Sequence, residues 1–486
     1  MIKRIIWTLG CCFWLGAMLS GCLKGEGPNP LQISDPEYTA FIHVHVVPMT
    51  SEIILIDQTV LIEGDRIIAV DSGDKVLIPE NTAIIDGEGA YLMPGLADMH
   101  MHTRQDWDTD AWPVSPLSLY LANGVTSIRD FGPSGEDLSY VLEWRDQIDD
   151  GLRVGPAIYT SGKILFVSPL SDPEALVREN YQLGFDFLKL YSYLSPEDTY
   201  EALSTAKELG MYSAGHVPFT VGLENVLTAG MNEIAHVEEL LPEFVDFDQG
   251  RQLDPEEWLI YYISSAMQQF DISKGFSEAN FNNIQGDTLS RVIEQLRSAG
   301  APVCTTMVVD DVIQLKLFQP QVFLDRQENR YLSAGYLDLF NKGEEKHQRQ
   351  FRDIEELASF KYGIDRWILA GLHQAGIPLL LGTDSGTSNM GIVPGFSIHD
   401  ELRILVENGF SPYQALKTGT VNAAEVIDTM VGEGNFGTIE VGQRADLVLV
   451  KNNPLEDITN SKDNLGVMAA GRWYSWEVLE KMITIE

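Results

Sequence analysis

Two histidines spaced two apart, His100 and His102, close the apolar run Gly95-Leu-Ala-Asp-Met-His-Met-His-Thr103. Side chains in a strand alternate between faces with period two, so both imidazoles leave the same face. Two neutral imidazoles converging on one point supply half of a metal site. Spacing alone does not establish this, because His43 and His45, in Phe-Ile-His-Val-His-Val-Val, have the same spacing. Position in the fold must separate the two pairs.

The elements that would position them follow from texture. Residues 38–94 read as strands, with Leu55 to Leu61 and Arg66 to Val70 rich in Ile and Val and a Glu63-Gly64-Asp65 turn between them. From 95 to about 432 short apolar runs alternate with longer helical patterns. Candidate strands are Leu96–His102, Val125–Phe131, Ala157–Ser161, Phe187–Tyr191, Tyr212–His216, Glu233–Val237, Pro302–Met307 and Pro378–Thr383. Eight such strands, mostly followed by helices, predict an α/β fold, a (β/α)8 TIM barrel. Aromatic-rich, charged insertions are expected near 241–290 and 308–365, with helical texture. Ser411-Pro412-Tyr413-Gln414 has the form of a helix start, with Ser as cap and Gln reaching back. Strand texture returns over 433–486, so the two termini are expected to build one small composite β-sandwich domain from 38–94 and 433–486.

In such a barrel the residues at the C-terminal strand ends gather at one mouth. Strand one ends in His100 and His102. Strand four carries Lys189 in the apolar run Phe185 to Tyr191. Strands five and six end in His216 and His236, and strand eight in Asp384. A central parallel strand is buried on both faces, which makes an unpaired Lys189 ammonium costly and favours a ligand role. His216 or His236 alone would read as a core histidine; their place at successive strand ends argues for ligation. Asp384 alone could be a helix cap before Ser385-Gly386.

This set resembles the amidohydrolase superfamily of metal hydrolases, in its branch of imidazolonepropionase-related proteins and dipeptidases acting on Xaa-Pro and similar substrates. The resemblance runs through Pro94-Gly-Leu-Ala-Asp-Met-His-Met-His102, Gly124-Val-Thr-Ser-Ile-Arg-Asp130, Gly382-Thr-Asp384 and Gly442-Gln-Arg-Ala-Asp-Leu-Val448, nearly the whole mature chain. It implies two divalent metal ions, zinc being the default for imidazole and carboxylate ligands, with Mn or Co as substitutes. His100, His102 and Asp384 would hold the more buried ion, and His216 and His236 the more exposed one. Lys189, carbamylated by CO2, would bridge them. The ions would share and acidify a water and polarise the scissile carbonyl, with Asp384 moving the water's proton to the leaving group. The implied reaction is cleavage of a C–N amide bond, in a dipeptide or an N-acyl amino acid. A lactonase or cyclic amidase is the alternative within the superfamily, and a non-catalytic ligand-binding surface lipoprotein the alternative of another class. Imidazolonepropionase itself fits less well, because by the same resemblance it uses one metal and lacks the bridging lysine.

Tyr191, two past Lys189, could face the mouth and hold a substrate carbonyl or carboxylate. Arg129 and Asp130 at the end of strand two read either as a structural ion pair or as substrate contacts. His43 and His45 precede the barrel and read as structural or surface. His347, His373 and His399 show no partner in the pattern, and Cys304 reads as a core filler.

The N-terminus reads as targeting. Lys3 and Arg4 precede an apolar stretch, Ile5 to Met18, too short to span a bilayer, and Leu19-Ser-Gly-Cys22 resembles a bacterial lipobox. The expectation is a signal peptide over 1–21, lipidation at Cys22, and a tether over 22–37 that anchors an exported protein to the bacterial membrane, facing periplasm or exterior. Cleavage would take the formal charge from −38 to −40 and leave Cys304 as the one free thiol, so no disulfide framework is expected. The acidity excludes a nucleic-acid partner. The expected partners are a small-molecule amide or peptide and a membrane, and an oligomer is compatible with the sequence.

Overall fold

In the computed structural model, residues 37–485 are described apart from 74, 110–111 and 387–389. The expected signal peptide and Cys22 lie outside the described residues. Among the described residues no helix is long and apolar enough to cross a membrane.

All eight expected barrel strands are present, at Leu96–Met101, Val125–Asp130, Ala157–Thr160, Phe187–Tyr193, Tyr212–Gly215, Glu233–Ile234, Val303–Cys304 and Leu379–Leu380. Neighbours pair in parallel, as Leu188 with Ser213 and Ala214 with Glu233. Strand three meets strand four where Asp186 N donates to Thr160 O at 2.9 Å. The barrel closes where Met99 N donates to Leu381 O and His102 N to Ser385 O, both at 2.8 Å. Its interior is one apolar cluster fed by every strand or its end, including Ala97, Phe131, Tyr159, Phe187, Ala214, Ala235, Cys304 and Leu380. Removing these side chains from water contributes about 25 cal/mol per Å2 of apolar surface. The same packing makes the strand ends a rigid rim.

The termini together form the small sheet domain. Eight strands hydrogen-bond into one continuous mixed sheet. The N-terminal half contributes Tyr38–Val46, Leu55–Glu63, Arg66–Ser72, Ala83–Asp86 and Tyr91–Pro94, and the C-terminal half Leu447–Val450, Asn464–Ala469 and Arg472–Ser475. The halves join where Val448 lies opposite Met93 in antiparallel register. The Glu63-Gly64-Asp65 turn needs a residue of positive φ, and Gly64 supplies it at +56°.

Both expected insertions are helical, with Pro255–Gln269 in the first and Val308–Phe318, Ala334–Asn341 and Glu355–Gln374 across the second. The helix Pro412–Thr418 has its capping box: Gln414 N donates to Ser411 Oγ at 3.2 Å and Ser411 N to Gln414 Oε1 at 2.8 Å.

Candidate active site

The rim brings His100, His102, Lys189, His216, His236 and Asp384 into one neighbourhood. One ligand atom from each of His100, His102 and Asp384 lies within 4.8 Å of the other two. Asp384 Oδ1 is 3.0 Å from His102 Nε2 and 3.6 Å from His100 Nε2. His236 joins through His100, with ring centroids 4.3 Å apart, and His216 joins through His236 at 4.8 Å. Lys189 Nζ lies 4.6 Å from the centre of the Phe131 ring, and that ring stacks on His100 at 4.0 Å.

Each imidazole is held through Nδ1. His100 faces Ala235 O at 3.3 Å, His102 faces Gly132 O at 3.2 Å, His216 faces Glu239 Oε1 at 2.5 Å, and His236 faces Thr306 Oγ1 at 2.8 Å. Such partners fix ring orientation and leave Nε2 of each histidine as the remaining ligand atom. Glu239 also accepts from Val217 N, so it ties the His216 ring to the backbone that follows it. Thr306 holds its position at φ +49°, beside a turn pinned by the buried Glu401, which accepts from Met307 N and Val308 N.

Asp384 sits at φ +55°, a left-handed conformation uncommon outside glycine, though aspartate and asparagine adopt it more readily than other residues. Its loop presses against strand one. A Cβ on Gly386 would lie 1.8 Å from His102 O, so only glycine allows this approach. Asp98 ties the same loop down by accepting from Thr383 N at 3.1 Å and Thr383 Oγ1 at 2.5 Å. The surroundings thus hold Asp384 in a strained conformation.

The electrostatics suit a cation. Burial pushes the Lys189 ammonium down to about 8 and His236 down to about 4, and it takes His100 well below its ordinary value. Burial alone would raise Asp384, but the His102 hydrogen bond and charge outweigh it and bring the carboxyl to about 2. The result is neutral His100 and His236 beside an ionised Asp384. At His102 burial is outweighed by the Asp384 hydrogen bond and charge, which raise it above its ordinary value, so metal binding there would displace a proton. His100 Nε2 and Lys189 Nζ are buried with no hydrogen-bond partner. Two unmet polar atoms in one packed rim are costly unless a further group answers them. The donor set therefore fits divalent metal ions.

Tyr191 lies beside this group, its ring 4.2 Å from His216, and among the described residues its hydroxyl makes no hydrogen bond. Arg129 is placed differently from the substrate contact expected of it. It is fully buried, with Nε donating to Met99 O at 2.9 Å and both terminal nitrogens donating to Glu233, 104 residues away. It is a structural ion pair inside the barrel, with Glu233 rather than Asp130. Asp130 instead accepts from Gly132 N and Thr103 Oγ1 next to His102.

The remaining histidines lie elsewhere, and the expectation that none has a partner is corrected. His347 is buried against Lys316 and Glu345, His399 bonds Ser461 and Asn123 O, and His373 stacks on Phe410. His43 is exposed and faces Asp86. Cys304 is buried in the barrel interior, which raises its thiol well above the ordinary value and leaves it unreactive.

Residues 357–474, from the last insertion helix into the small sheet, match the amidohydrolase family, so the chain carries an amidohydrolase family domain. An ochratoxinase of Aspergillus niger is 25% identical over 396 residues, covering 76% of this chain and 71% of its own. The imidazolonepropionase of Alkaliphilus metalliredigens is 24% identical, covering 81% of this chain and 83% of its own. Among solved structures, an Xaa-Pro dipeptidase with methionine bound in its active site superposes with a TM-score of 0.62 at 19% identity, over 90% of this chain and all of its own. The structural likeness shows a shared fold, a barrel with a small sheet domain.

Proposed function

We propose that this protein is a metal-dependent hydrolase of C–N amide bonds, acting on a dipeptide or an N-acyl amino acid. The observation that carries the reading is the pairing of four imidazoles held through Nδ1 with two buried, unanswered nitrogens, His100 Nε2 and Lys189 Nζ. His100, His102 and Asp384 would hold one divalent ion and His216 and His236 a second, with Lys189 as its carbamate between them; zinc suits these ligands. The carbamate forms when the neutral Lys189 amine adds to CO2 with loss of one proton, and burial favours that neutral amine. When bound, the metals supply Lewis-acid activation of water and of the scissile carbonyl.

The chain's own residues do the rest. Asp384, held by Asp98 through Thr383, takes the proton of the attacking water and delivers it to the leaving nitrogen as the C–N bond breaks. The Tyr191 hydroxyl donates to the substrate carbonyl or carboxylate. The similarity to an Xaa-Pro dipeptidase supports a peptide-like substrate. The test is metal analysis of the purified protein together with hydrolysis of dipeptides, N-acyl amino acids and lactones. Amide cleavage with one to two metals per chain is the expected result. Preference for lactones or cyclic amides would shift the reaction within the superfamily, and ligand binding without metal or turnover would make the chain a binding lipoprotein.

We also propose that the protein is exported and anchored through a lipidated Cys22. Incorporation of labelled palmitate into the wild type, abolished in Cys22→Ser, is the expected result; equal labelling of both would end the proposal.

A further inference from the structure

An unbroken path of aromatic rings leads away from the candidate ligand His216. Tyr191 touches His216 at 4.2 Å between centroids, Phe166 lies 4.5 Å from Tyr191, and Tyr193 lies 5.5 Å from Tyr191 and 5.7 Å from Phe166. Phe219 continues at 6.1 Å from Tyr193 and stacks on Trp258 at 5.5 Å and 15°. The rings come from four places that converge on the mouth. Tyr191 and Tyr193 end strand four, and Phe166 lies on Leu165–Val167, the short strand paired beside it. Phe219 follows strand five, where its N–H donates to Ser192 O, and Trp258 belongs to the insertion helix Pro255–Gln269.

Two features separate this wall from ordinary core packing. Phe166 is 44% exposed although both its strand neighbours are more buried, and Tyr191, Tyr193 and Phe219 are only part-buried. Among the described residues the hydroxyls of Tyr191 and Tyr193 make no hydrogen bond. Rings that served only to lock the insertion helix would bury their faces, as Trp258 does at 3% exposure. The open faces lie at the end nearest His216.

We propose that this wall is a specificity pocket for an aromatic or large planar apolar group on one side of the scissile amide. The proposal rests on the hydrolase reading and deepens it. A substrate ring would stack on Phe166 and Tyr193, while an unpaired tyrosine hydroxyl takes a polar atom next to the ring. Trp258 and Phe219 form the fixed back of the pocket. Offset or edge contacts with two rings correspond to about a three- to tenfold preference over an aliphatic group.

The experiment has two arms on the full chain. In the first, kcat/KM is compared for dipeptides bearing Phe or Ala at the same position, in wild type and in Phe166→Ala. The wild type should favour Phe about three- to tenfold, and Phe166→Ala should lose that preference through a raised KM for the Phe dipeptide. In the second, tryptophan emission is titrated with N-benzoylglycine and N-acetylglycine after chelation, with Trp258→Phe assigning the signal. A saturable response to the benzoyl compound, weakened in Phe166→Ala, supports the pocket even if no amide is cleaved; that pattern would sink the hydrolase reading alone. Equal turnover of Phe and Ala dipeptides with no benzoyl preference in emission would overturn the pocket and leave the hydrolase standing. The circular dichroism of Phe166→Ala should match the wild type, since the ring it removes is half exposed.

Discussion

Two lysines are buried among the described residues, and they are buried differently. Lys189, on barrel strand four, and Lys316, on the helix Val308–Phe318, are almost inaccessible, and burial lowers both ammonium groups to about 8. Lys316 is answered by the chain itself. Its Nζ lies 2.9 Å from Glu345 Oε1, 2.9 Å from Met390 O and 2.5 Å from His347 Nδ1. Lys189 Nζ has no partner. Burial of a charged group is therefore not in itself a functional signal, because a structural network perturbs a lysine as much as a reactive site does. What separates the two is unmet hydrogen-bonding capacity.

Replacing each lysine by methionine tests the comparison most severely, because the effects should have opposite signs. Lys316→Met removes the lysine counter-charge from the buried Glu345 carboxylate, which keeps its hydrogen bonds from His347 N and Gln348 N, and should cost about 3–5 kcal/mol in urea unfolding, with metal content unchanged. Lys189→Met removes an unanswered ammonium and should stabilise the metal-free protein by about 1–3 kcal/mol, while amide hydrolysis falls by at least about a hundredfold. If Lys189→Met destabilised the metal-free protein as Lys316→Met does, the distinction between the two sites would collapse.

A smaller effect is expected one layer further out. Glu239 orients His216 and accepts the Val217 N–H. Glu239→Gln keeps a hydrogen-bond partner but loses the charge behind the imidazole, so metal affinity should weaken by about 10–100-fold. Competition with a chromophoric chelator measures it. Unchanged affinity would mean that Glu239 only packs the loop.

The same contrast marks what the sequence makes legible. The strand ends are local patterns, so the places of His100, His102, Lys189, His216, His236 and Asp384 around one rim follow once eight strands are counted. His43 and His45 lie on a small-sheet strand, Tyr38–Val46, apart from that rim, so topology separates them from the pair with the same spacing. The partners are not local. Glu239 meets His216 across 23 residues and Thr306 meets His236 across 70, and neither pairing has a period or motif to announce it. Arg129 misled for the same reason, since its counter-charge Glu233 lies on another strand and its own neighbour Asp130 faces a different group. His347 showed no partner because Lys316 reaches it across 31 residues, and Glu345 across 29, with no pattern to announce the cluster. In the small domain, alternating strands showed a sheet from both termini but not that all eight strands join into one.

The smallest expected effect is a pH dependence confined to the structural cluster. Burial would raise the Glu345 carboxyl, but the His347 hydrogen bond and the Lys316 charge outweigh it and hold the group at about 2, against an ordinary value of 4.5. A carboxyl lowered by folding contributes stability that is complete above its unfolded value and fades as pH falls towards its folded value. Wild type should therefore lose stability between about pH 4.5 and 2 through this group. Glu345→Gln, already less stable, should lose less over the same interval. Unfolding by urea at pH 5 and pH 3 compares the slopes, since other carboxylates contribute equally to both proteins. Parallel losses would show that the Lys316 cluster carries no linked proton. The answered lysine would then be held by packing alone, and hydrogen bonding would no longer explain why Lys316 is silent while Lys189 is not.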